Sequence, residues 1–305
     1  MSNLTEISIV TRKFLIWLGV VVIAYFILRI FIGLGIQYWK ATHPTPVPPP
    51  NVRFNKLTSP KFSHVATSSS GMQFTLATVE GKPPEATAAA RVYMMPKKLP
   101  NLLASERAKK FAVKIGFTDE PELITSTIYR FTDPSERLRT LEIDITNMNF
   151  KLKYDYTKNP QVFQIGQITS KNQALDEVKQ FVQFNNLFDE TVLKGKISTN
   201  LLIFNNDSKS FQEASSLSNA NAVRVNYFQN DLDDIPILPP EFDKSYTYAI
   251  FTAGSSLQTR IIELSYTFWP ISFDDFATYP LRSADIAWQD LKDGYAFVVN
   301  LGGNT

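Results

Sequence analysis

An apolar run near the N-terminus limits the architectures open to this chain more than any other feature of the sequence. The run FLIWLGVVVIAYFILRIFIGLGI, Phe14 to Ile36, has about 23 residues and would span roughly 34 Å as a helix, at about 1.5 Å per residue. Trp17 near one end, and Tyr38 and Trp39 at the other, fit the aromatic belts of the two membrane interfaces. The sequence therefore predicts a transmembrane helix over residues 14–36.

A secretory signal peptide is the competing interpretation of this run. The apolar core is longer than a signal peptide needs, and no small-x-small cleavage site follows it. We therefore expect an uncleaved single-pass anchor in the cell membrane. Charge does not decide its orientation, because basic residues flank both ends. A short tail before a single apolar segment is typical of a signal anchor, so we expect residues 1–13 to be cytoplasmic and the C-terminal region extracytoplasmic.

One charge lies inside the apolar run. Arg29 could pair with a partner helix, because an ionisable group is costly within a membrane. We favour the alternative that its long side chain reaches the interface, since it lies only some seven residues, about 10 Å, from the end of the run.

A proline-rich segment follows the anchor. The residues ATHPTPVPPPN, 41–51, favour extended polyproline II, a semi-rigid spacer of about 3.1 Å per residue. We interpret residues 37–70 as a stalk and linker that hold a folded region off the membrane, although such segments also bind proline-recognition domains. Both histidines, His43 and His64, lie here, where nothing fixes the geometry that a catalyst or ligand needs.

Composition and motifs narrow the classes of function. The 31 basic and 29 acidic residues nearly cancel, so the chain lacks the electrostatic footprint of a nucleic-acid-binding protein. The absence of cysteine excludes disulfides, thiolate metal sites and a cysteine nucleophile. There is no G-x-S-x-G, H-E-x-x-H or phosphate-loop motif, and the acidic groups 231–234 and 274–275 lack calcium-loop spacing. We therefore predict no catalytic residue, no cofactor and no metal.

Two segments predict amphipathic helices of the same design. AKKFAVKIGFTDE, 108–120, is partly repeated in VKQFVQFNNLFDE, 178–190. Apolar residues recur at the spacing of one helical face at Ala104, Ala108, Phe111, Ala112 and Ile115, and again at Ala174, Val178, Phe181 and Val182. Gly116 and Asn186 then stand where a left-handed residue ends a helix. Chance similarity of two amphipathic patterns is the alternative explanation.

The segment LEIDITNMNFKLKYDY, 141–156, alternates apolar and charged residues and predicts a half-buried β-hairpin. With the turn centred on residues 147–148, Leu141 would lie opposite Tyr154, and Ile143 opposite Leu152. Met148 is unfavourable in a tight primed turn, which argues for a loop longer than two residues.

These patterns predict an α+β protein with helices laid on antiparallel sheet in tandem units, over residues 71–165, 166–240 and 241–305. Strands are expected at 72–79, 88–95, 200–206, 222–228, 246–251 and 260–269, the last with Ile262, Leu264, Tyr266 and Phe268 on one face. Ser283 would cap a short helix before a final strand, 295–300. The chain ends directly after that strand, so the third unit would be incomplete and its sheet edge uncovered.

An anchor, a stalk and helix-plus-hairpin units with A-x3-[AV]-x2-F spacing resemble PepSY-type domains. The tail SYTFWPISFDDFATYPLRSADIAWQDLKDGYAFVVN is similar in style to the extracytoplasmic parts of the YycH/YycI regulatory proteins. The likeness covers about residues 100–305. It implies an extracytoplasmic module that binds and modulates a membrane partner or protease, and it brings no catalytic residues.

The first hypothesis for function is therefore a regulatory protein-binding module, whose partner is another membrane or cell-envelope protein. Aromatic residues near the end of the chain are the candidate contacts, with core packing as the alternative: Trp269, Tyr279, Trp288 and Tyr295. The second hypothesis is a structural or adhesive cell-surface component. The third is a cell-wall hydrolase, which would need two carboxylates in one cleft from Asp189, Glu190, Asp274 and Asp275.

Overall fold

The computed structural model describes residues 3–42, 49–59, 67–84, 87–164, 166–232, 235–241 and 243–298. Helix α1 (Asn3–Thr42) contains the apolar run and extends beyond both of its predicted ends. Its segment Arg12–Ile36 is long and apolar enough to cross a membrane, and its side chains are exposed throughout. Length and composition fit a transmembrane anchor or a signal sequence. His43 and His64 lie outside the described residues.

Thirteen strands, five further α-helices and two short 3₁₀ helices, Pro160–Phe163 and Leu217–Asn219, follow within the described ranges. The helices are α2 (Ala104–Lys114), α3 (Lys171–Phe184), α4 (Glu190–Leu193), α5 (Leu257–Arg260) and α6 (Ala284–Lys292). The strands are β1 (Thr67–Ser68), β2 (Ala89–Met94), β3 (Glu122–Leu123), β4 (Ile128–Thr132), β5 (Arg139–Asp144), β6 (Asn149–Tyr154), β7 (Ile197–Asn205), β8 (Ser210–Glu213), β9 (Ala222–Tyr227), β10 (Thr247–Thr252), β11 (Ile261–Tyr266), β12 (Ser272–Pro280) and β13 (Phe297–Val298).

Nine of these strands form one antiparallel sheet in the order β3-β4-β5-β6-β11-β10-β9-β7-β8. Strands from all three predicted units, 71–165, 166–240 and 241–305, therefore lie side by side. The first unit joins the third by the pairing of β6 with β11, where Leu152 lies opposite Leu264, and the third joins the second by the pairing of β10 with β9. The protein is thus α+β with antiparallel sheet, as predicted, but one large sheet takes the place of the separate small sheets of the predicted tandem units. Strands β1, β3, β4, β8 and β12 were not predicted, and β8 in particular is as polar as the loop around it.

Helices α2 and α3 cover the same face of this sheet. Both belong to the main hydrophobic core, together with strand residues such as Leu141, Ile143, Val225 and Leu264. The helix residues at the predicted apolar spacing are fully buried at Ala104, Ala108, Ala112, Ala174, Val178 and Val182. Burying an aliphatic side chain of valine size or larger contributes about 1.5–3 kcal/mol, so this layer is a main source of stability.

The ends of the two helices match in geometry. Gly116 and Asn186 both have positive φ, 96° and 47°. The amide of Phe117 donates to the carbonyl of Ala112 at 2.9 Å, and the amide of Leu187 donates to that of Val182 at 3.0 Å. These are the bonds that close a helix with a left-handed residue, and they satisfy carbonyls that have no partner within the helix.

The other face of the sheet has a smaller core under residues 155–164. The rings of Tyr156, Phe163 and Phe204 meet there, with Phe163 stacked on Phe204 at 4.4 Å. Elsewhere this face is polar. Lys151 on β6, for example, pairs with Glu263 on β11 at 2.8 Å.

The predicted hairpin forms, but its predicted register is wrong by two residues. Leu141 lies opposite Leu152, and Ile143 opposite Phe150. A four-residue loop, 145–148, sets this register. The carboxylate of Asp144 accepts from the amide and hydroxyl of Thr146, and the amide of Met148, with φ 61°, donates to the carbonyl of Asp144. A shift of two residues keeps every side chain on its predicted face.

Two further strand predictions need correction. Ile262 packs with the smaller core while Leu264 and Tyr266 face the helices, because the register shifts opposite residues 250–251. At such a bulge one extra residue interrupts the alternation, so its side chain lies on the face of the sheet opposite to the one expected. Residues 72–79 form no strand among the described residues. Alternate side chains there are half-buried, so the apolar alternation is present without a backbone partner.

The C-terminal segment pairs with residues close to α1. Strand β12 pairs with β2, and β13 pairs with β1. The amide of Asn51 donates to the carbonyl of Thr278 at 3.1 Å, and the amide of Ser69 donates to that of Ala296 at 2.9 Å. Parts of the predicted stalk, 37–70, are thus bonded to the end of the chain. We call β1, β2, β12, β13 and α6 the terminal layer. Ser283 caps α6 as predicted.

Candidate functional site

The site that stands out is an aromatic pair at one end of the β10–β11 hairpin. Tyr246 immediately precedes β10 and Trp269 closely follows β11, so antiparallel pairing brings them together. The hydroxyl of Thr247 donates to the carbonyl of Thr267 at 3.0 Å and accepts from its amide at 3.1 Å. These bonds fix the two backbones, and the rings meet edge to face with centroids 6.1 Å apart.

The pair belongs to an exposed apolar area. Trp269 is 46% exposed and Tyr246 50%, although both sit on well-anchored backbone. Leu238 and Met95, from two other loops, are exposed to a similar degree. We call Met95, Leu238, Tyr246 and Trp269 the Trp269 surface. Single exposed apolar residues are normal, but apolar side chains gathered from separate loops indicate an interaction surface.

Cavities flank Trp269 on two sides. One, of about 200 Å³, is mainly apolar and is lined by residues that include Val192, Phe228, Ile237, Leu238, Tyr246 and Trp269. The other, of about 450 Å³, lies between the loop 96–100 and the turn of the first hairpin, and Trp269 and Pro270 form part of its wall. A partner residue could therefore pack on either side of the indole ring.

The other predicted contact residues lie in the terminal layer. Tyr279 on β12 donates its hydroxyl to the carbonyl of Asn55 at 2.8 Å. Trp288 on α6 lies 5.9 Å from the ammonium of Lys292, and Tyr295 is 79% exposed. Among the described residues, the ring of Trp269 makes no contact with the rings of Tyr279, Trp288 or Tyr295. The structure thus separates three of the four predicted residues from the fourth.

The predicted membrane-anchoring residues all lie on α1. Trp17, Tyr38 and Trp39 are each about two-thirds exposed or more, and Arg29 is exposed between them. Because α1 is continuous, Trp17 and Trp39 are separated by about 33 Å along its axis. That spacing fits the two interfaces of a bilayer.

The face of the sheet opposite α2 and α3 carries a polar network that the sequence did not predict. The guanidinium of Arg224 lies 3.5 Å from the ring centroid of Tyr248 and donates to Asn226 and to the carbonyl of Ser245, each at 2.8 Å. Tyr248 donates to the carboxylate of Glu263 at 2.6 Å. Burial lowers the pKa of Arg224, and burial together with Glu263 raises the pKa of Tyr248. These groups satisfy one another, so the network stabilises the sheet.

The carboxylates considered for a hydrolase have local structural roles. Asp189 caps α4 by accepting from the amide of Thr191 at 2.9 Å, and Glu190 pairs with Lys194 at 2.6 Å. Asp275 pairs with Arg53. Neither they nor Asp274 line the cavities beside Trp269. No group of three or more potential metal ligands occurs among the residues that the structure describes.

Comparisons of the chain with protein-family models, with curated proteins and with solved structures find no match. The resemblance to PepSY-type domains therefore stays a prediction, and the interpretation of the site depends on its geometry.

Proposed function

We propose that this protein is a membrane-anchored, extracytoplasmic protein-binding module that regulates a membrane partner or a protease. The observation that carries the proposal is the Trp269 surface, where Trp269 and Tyr246 stay exposed and Trp269 lies between two cavities. Tryptophan and tyrosine are enriched among the residues that dominate binding energy at protein interfaces. Because a rigid hairpin holds the pair, little conformational entropy is lost on binding.

The N-terminal helix supports the membrane part of the proposal. An uncleaved α1 would keep the folded region on one side of a bilayer, so its partner would be a membrane or cell-envelope protein. The resemblance to PepSY-type regulatory proteins points the same way. A structural or adhesive surface protein is the alternative, and it differs in predicting that the partner is a second copy of this chain.

Site-specific cross-linking in native membranes tests the proposal. A photoreactive phenylalanine analogue would replace Trp269 in the full-length chain, with a control variant at Val79, which is 107% exposed and lies outside the Trp269 surface. We expect a cross-link to one distinct protein from position 269 and none to that protein from position 79. Cross-links to the chain itself would favour the structural alternative, and their complete absence would refute a contact role for Trp269.

Substitution of Trp269 measures how much this residue contributes to the binding of the partner. Trp269→Ala should weaken capture of the cross-linked partner about 30-fold or more, the effect of losing a hot-spot residue worth about 2 kcal/mol. Tyr295→Ala tests whether the terminal layer contributes to the same contact. Both residues are substantially exposed, so thermal unfolding of the variants should match that of the parent.

A further inference from the structure

A second exposed surface, on residues 97–114, combines leucines with basic residues. Leu99 is 82% exposed, Leu102 101% and Leu103 66%. Leucines this exposed contact almost nothing in the folded chain. All three lie in the loop that leads into α2, close in sequence to Lys97 and Lys98, whose side chains are also exposed.

Helix α2 continues this surface. Leu103, Arg107, Lys110 and Lys114 recur at the i, i+4, i+7 and i+11 spacing of one side of the helix, away from the alanines that pack on the sheet. The ammonium of Lys114 donates to the carbonyl of Asn185 at 2.5 Å. This contact brings in the neighbouring Phe184, which is 88% exposed, so apolar and basic side chains extend across both helices.

The charge of this surface is strongly one-sided. Residues 97–114 contain six basic side chains and one acidic side chain, Glu106. Three of the basic groups have partners on the chain: Lys109 pairs with Glu120 at 2.8 Å, Arg107 donates to Asn101 at 3.3 Å, and Lys114 donates to the carbonyl of Asn185 as described above. The excess positive charge fits an occupant that is anionic as well as apolar.

The attachment to α1 places a bilayer within reach. Residues 43–48 separate the end of α1 from Pro49, whose carbonyl accepts from the hydroxyl of Thr278 at 2.9 Å. Seven backbone steps, from residue 42 to residue 49, span at most about 25 Å. With α1 as the anchor, the terminal layer therefore lies close to the membrane. Strand β2, in that layer, leads within a few residues to Lys97 and Lys98.

We propose that the Leu–Lys surface (Lys97, Lys98, Leu99, Leu102, Leu103, Arg107, Lys110 and Phe184) docks on anionic lipid headgroups of the membrane that holds α1. The leucines enter the boundary between headgroups and acyl chains, and the basic groups pair with lipid phosphates. This inference depends on the anchor of the proposed function, and the two surfaces adjoin, because Lys97, Lys98 and Leu99 also line the cavity of about 450 Å³ beside Trp269. Docking would fix the orientation in which the Trp269 surface meets a membrane partner.

The test uses the full-length chain in lipid vesicles. Because the chain has no cysteine, Leu102→Cys can carry a single polarity-sensitive fluorophore. Val79→Cys is the matched control, since Val79 is just as exposed, 107%, and has no lysine cluster beside it. The vesicles would be of phosphatidylcholine, alone or with about one third phosphatidylglycerol, and quenching by lipid-bound nitroxide would report contact.

We expect the label at residue 102 to shift to shorter wavelength and to be quenched in the anionic vesicles, with little change at residue 79. Replacing Lys97, Lys98, Arg107 and Lys110 together by glutamine should abolish the shift. If the chain stays bound to the vesicles but the label at residue 102 stays in water, the lipid docking is refuted and the membrane anchor is not. A chain that washes off the vesicles overturns the anchor as well. A shift that requires high protein density in neutral vesicles would identify a second copy as the occupant.

Discussion

The two halves of the large sheet use one geometry with different side chains. The first half, α2 with β3–β6, buries three alanines under its helix, Ala104, Ala108 and Ala112. The second half, α3 and α4 with β7–β11, buries larger side chains at matching positions, such as Val178 and Val182. Both helices nevertheless lie on the same face and end in a left-handed residue. The two halves therefore share the spacing and the termination of their helices, while the size of the buried helix residues differs between them.

The halves also differ in their buried charges. In the first half, Arg139 and Asp133 form a pair with both side chains at most 5% exposed, and the guanidinium lies 5.0 Å from the ring of Phe117. In the second half, Arg224 is held by hydrogen bonds and by the ring of Tyr248. The first half thus depends on a single ion pair, and the second on a distributed network.

The largest expected effect follows from breaking that pair. Asp133→Ala leaves the charge of Arg139 buried without its carboxylate, which should lower the free energy of unfolding by about 3–5 kcal/mol. Urea unfolding of the full-length chain in detergent measures it. The control is Arg137→Ala, whose pair with Asp119 is exposed and should cost less than about 1 kcal/mol. Equal effects for the two variants would contradict the role given to burial.

The same pair predicts a dependence on pH. Burial raises the pKa of Asp133, but hydrogen bonds from Ser135 and Arg139 outweigh it and leave the pKa below its ordinary value. A lowered pKa stabilises the fold above the unfolded value, about 3.9, and that stabilisation is lost as pH falls through the folded pKa. The difference in stability between the parent chain and Asp133→Ala should therefore shrink below about pH 4.

Two reciprocal substitutions test the difference in packing between α2 and α3. Val178→Ala should cost about 2 kcal/mol, because it removes buried methyl groups and leaves a cavity. Ala108→Val, the reciprocal change in α2, should cost about 1–3 kcal/mol by overpacking. Both are measured by urea unfolding. If Ala108→Val is stabilising instead, the space beneath α2 is larger than the buried alanines indicate.

Helix starts provide a smaller contrast. The hydroxyl of Ser170 accepts from the amide of Gln173 at 3.0 Å and caps α3, whereas Leu103 gives α2 no side-chain cap. Ser170→Ala should lower the unfolding free energy by about 1 kcal/mol. Leu103→Ala, at the corresponding position of α2, should change it little, because Leu103 is exposed and caps nothing. A similar loss at both positions would show that the cap is not the cause.

The smallest expected effect concerns the left-handed residues. Asn186→Gly should raise the unfolding free energy by a few tenths of a kcal/mol, since glycine adopts positive φ at less steric cost than asparagine. Gly116→Asn should lower it by a similar amount. No atom lies within 4 Å of a Cβ added at Gly116, so only the backbone preference is tested. Changes of the opposite sign would show that the two helix ends are not equivalent.

Local patterns predicted much of the fold. The helical spacing of Ala104 and Ala108, the left-handed residues and the alternation in 141–156 depend on near neighbours, and all were found. The predicted register of the hairpin was wrong, because hydrogen bonds to the side chain of Asp144 set the length of the loop. The pairing of Asn51 with Thr278 joins residues 227 positions apart, which no local pattern records.

The candidate site shows the same division. Trp269 was predicted as a partner contact from its residue type, but its neighbour Tyr246 comes from the start of another strand, and only the β10–β11 register brings them together. The Arg224 network was missed for a similar reason, since its members come from β9, β10 and β11. Composition identified the candidate residue types, and strand pairing determined which of them meet.

The terminal layer also imposes an order on biosynthesis. Strand β2 can find its partner only after β12 has been made, since Ala89 pairs with Pro280. At about 5–20 residues per second, the interval between them takes roughly 10–40 s of synthesis. Through that time the segment that emerges first has no strand to pair with. A chain released before β12 would therefore keep α1 while exposing an unpaired β2, a state that proteases and chaperones could recognise.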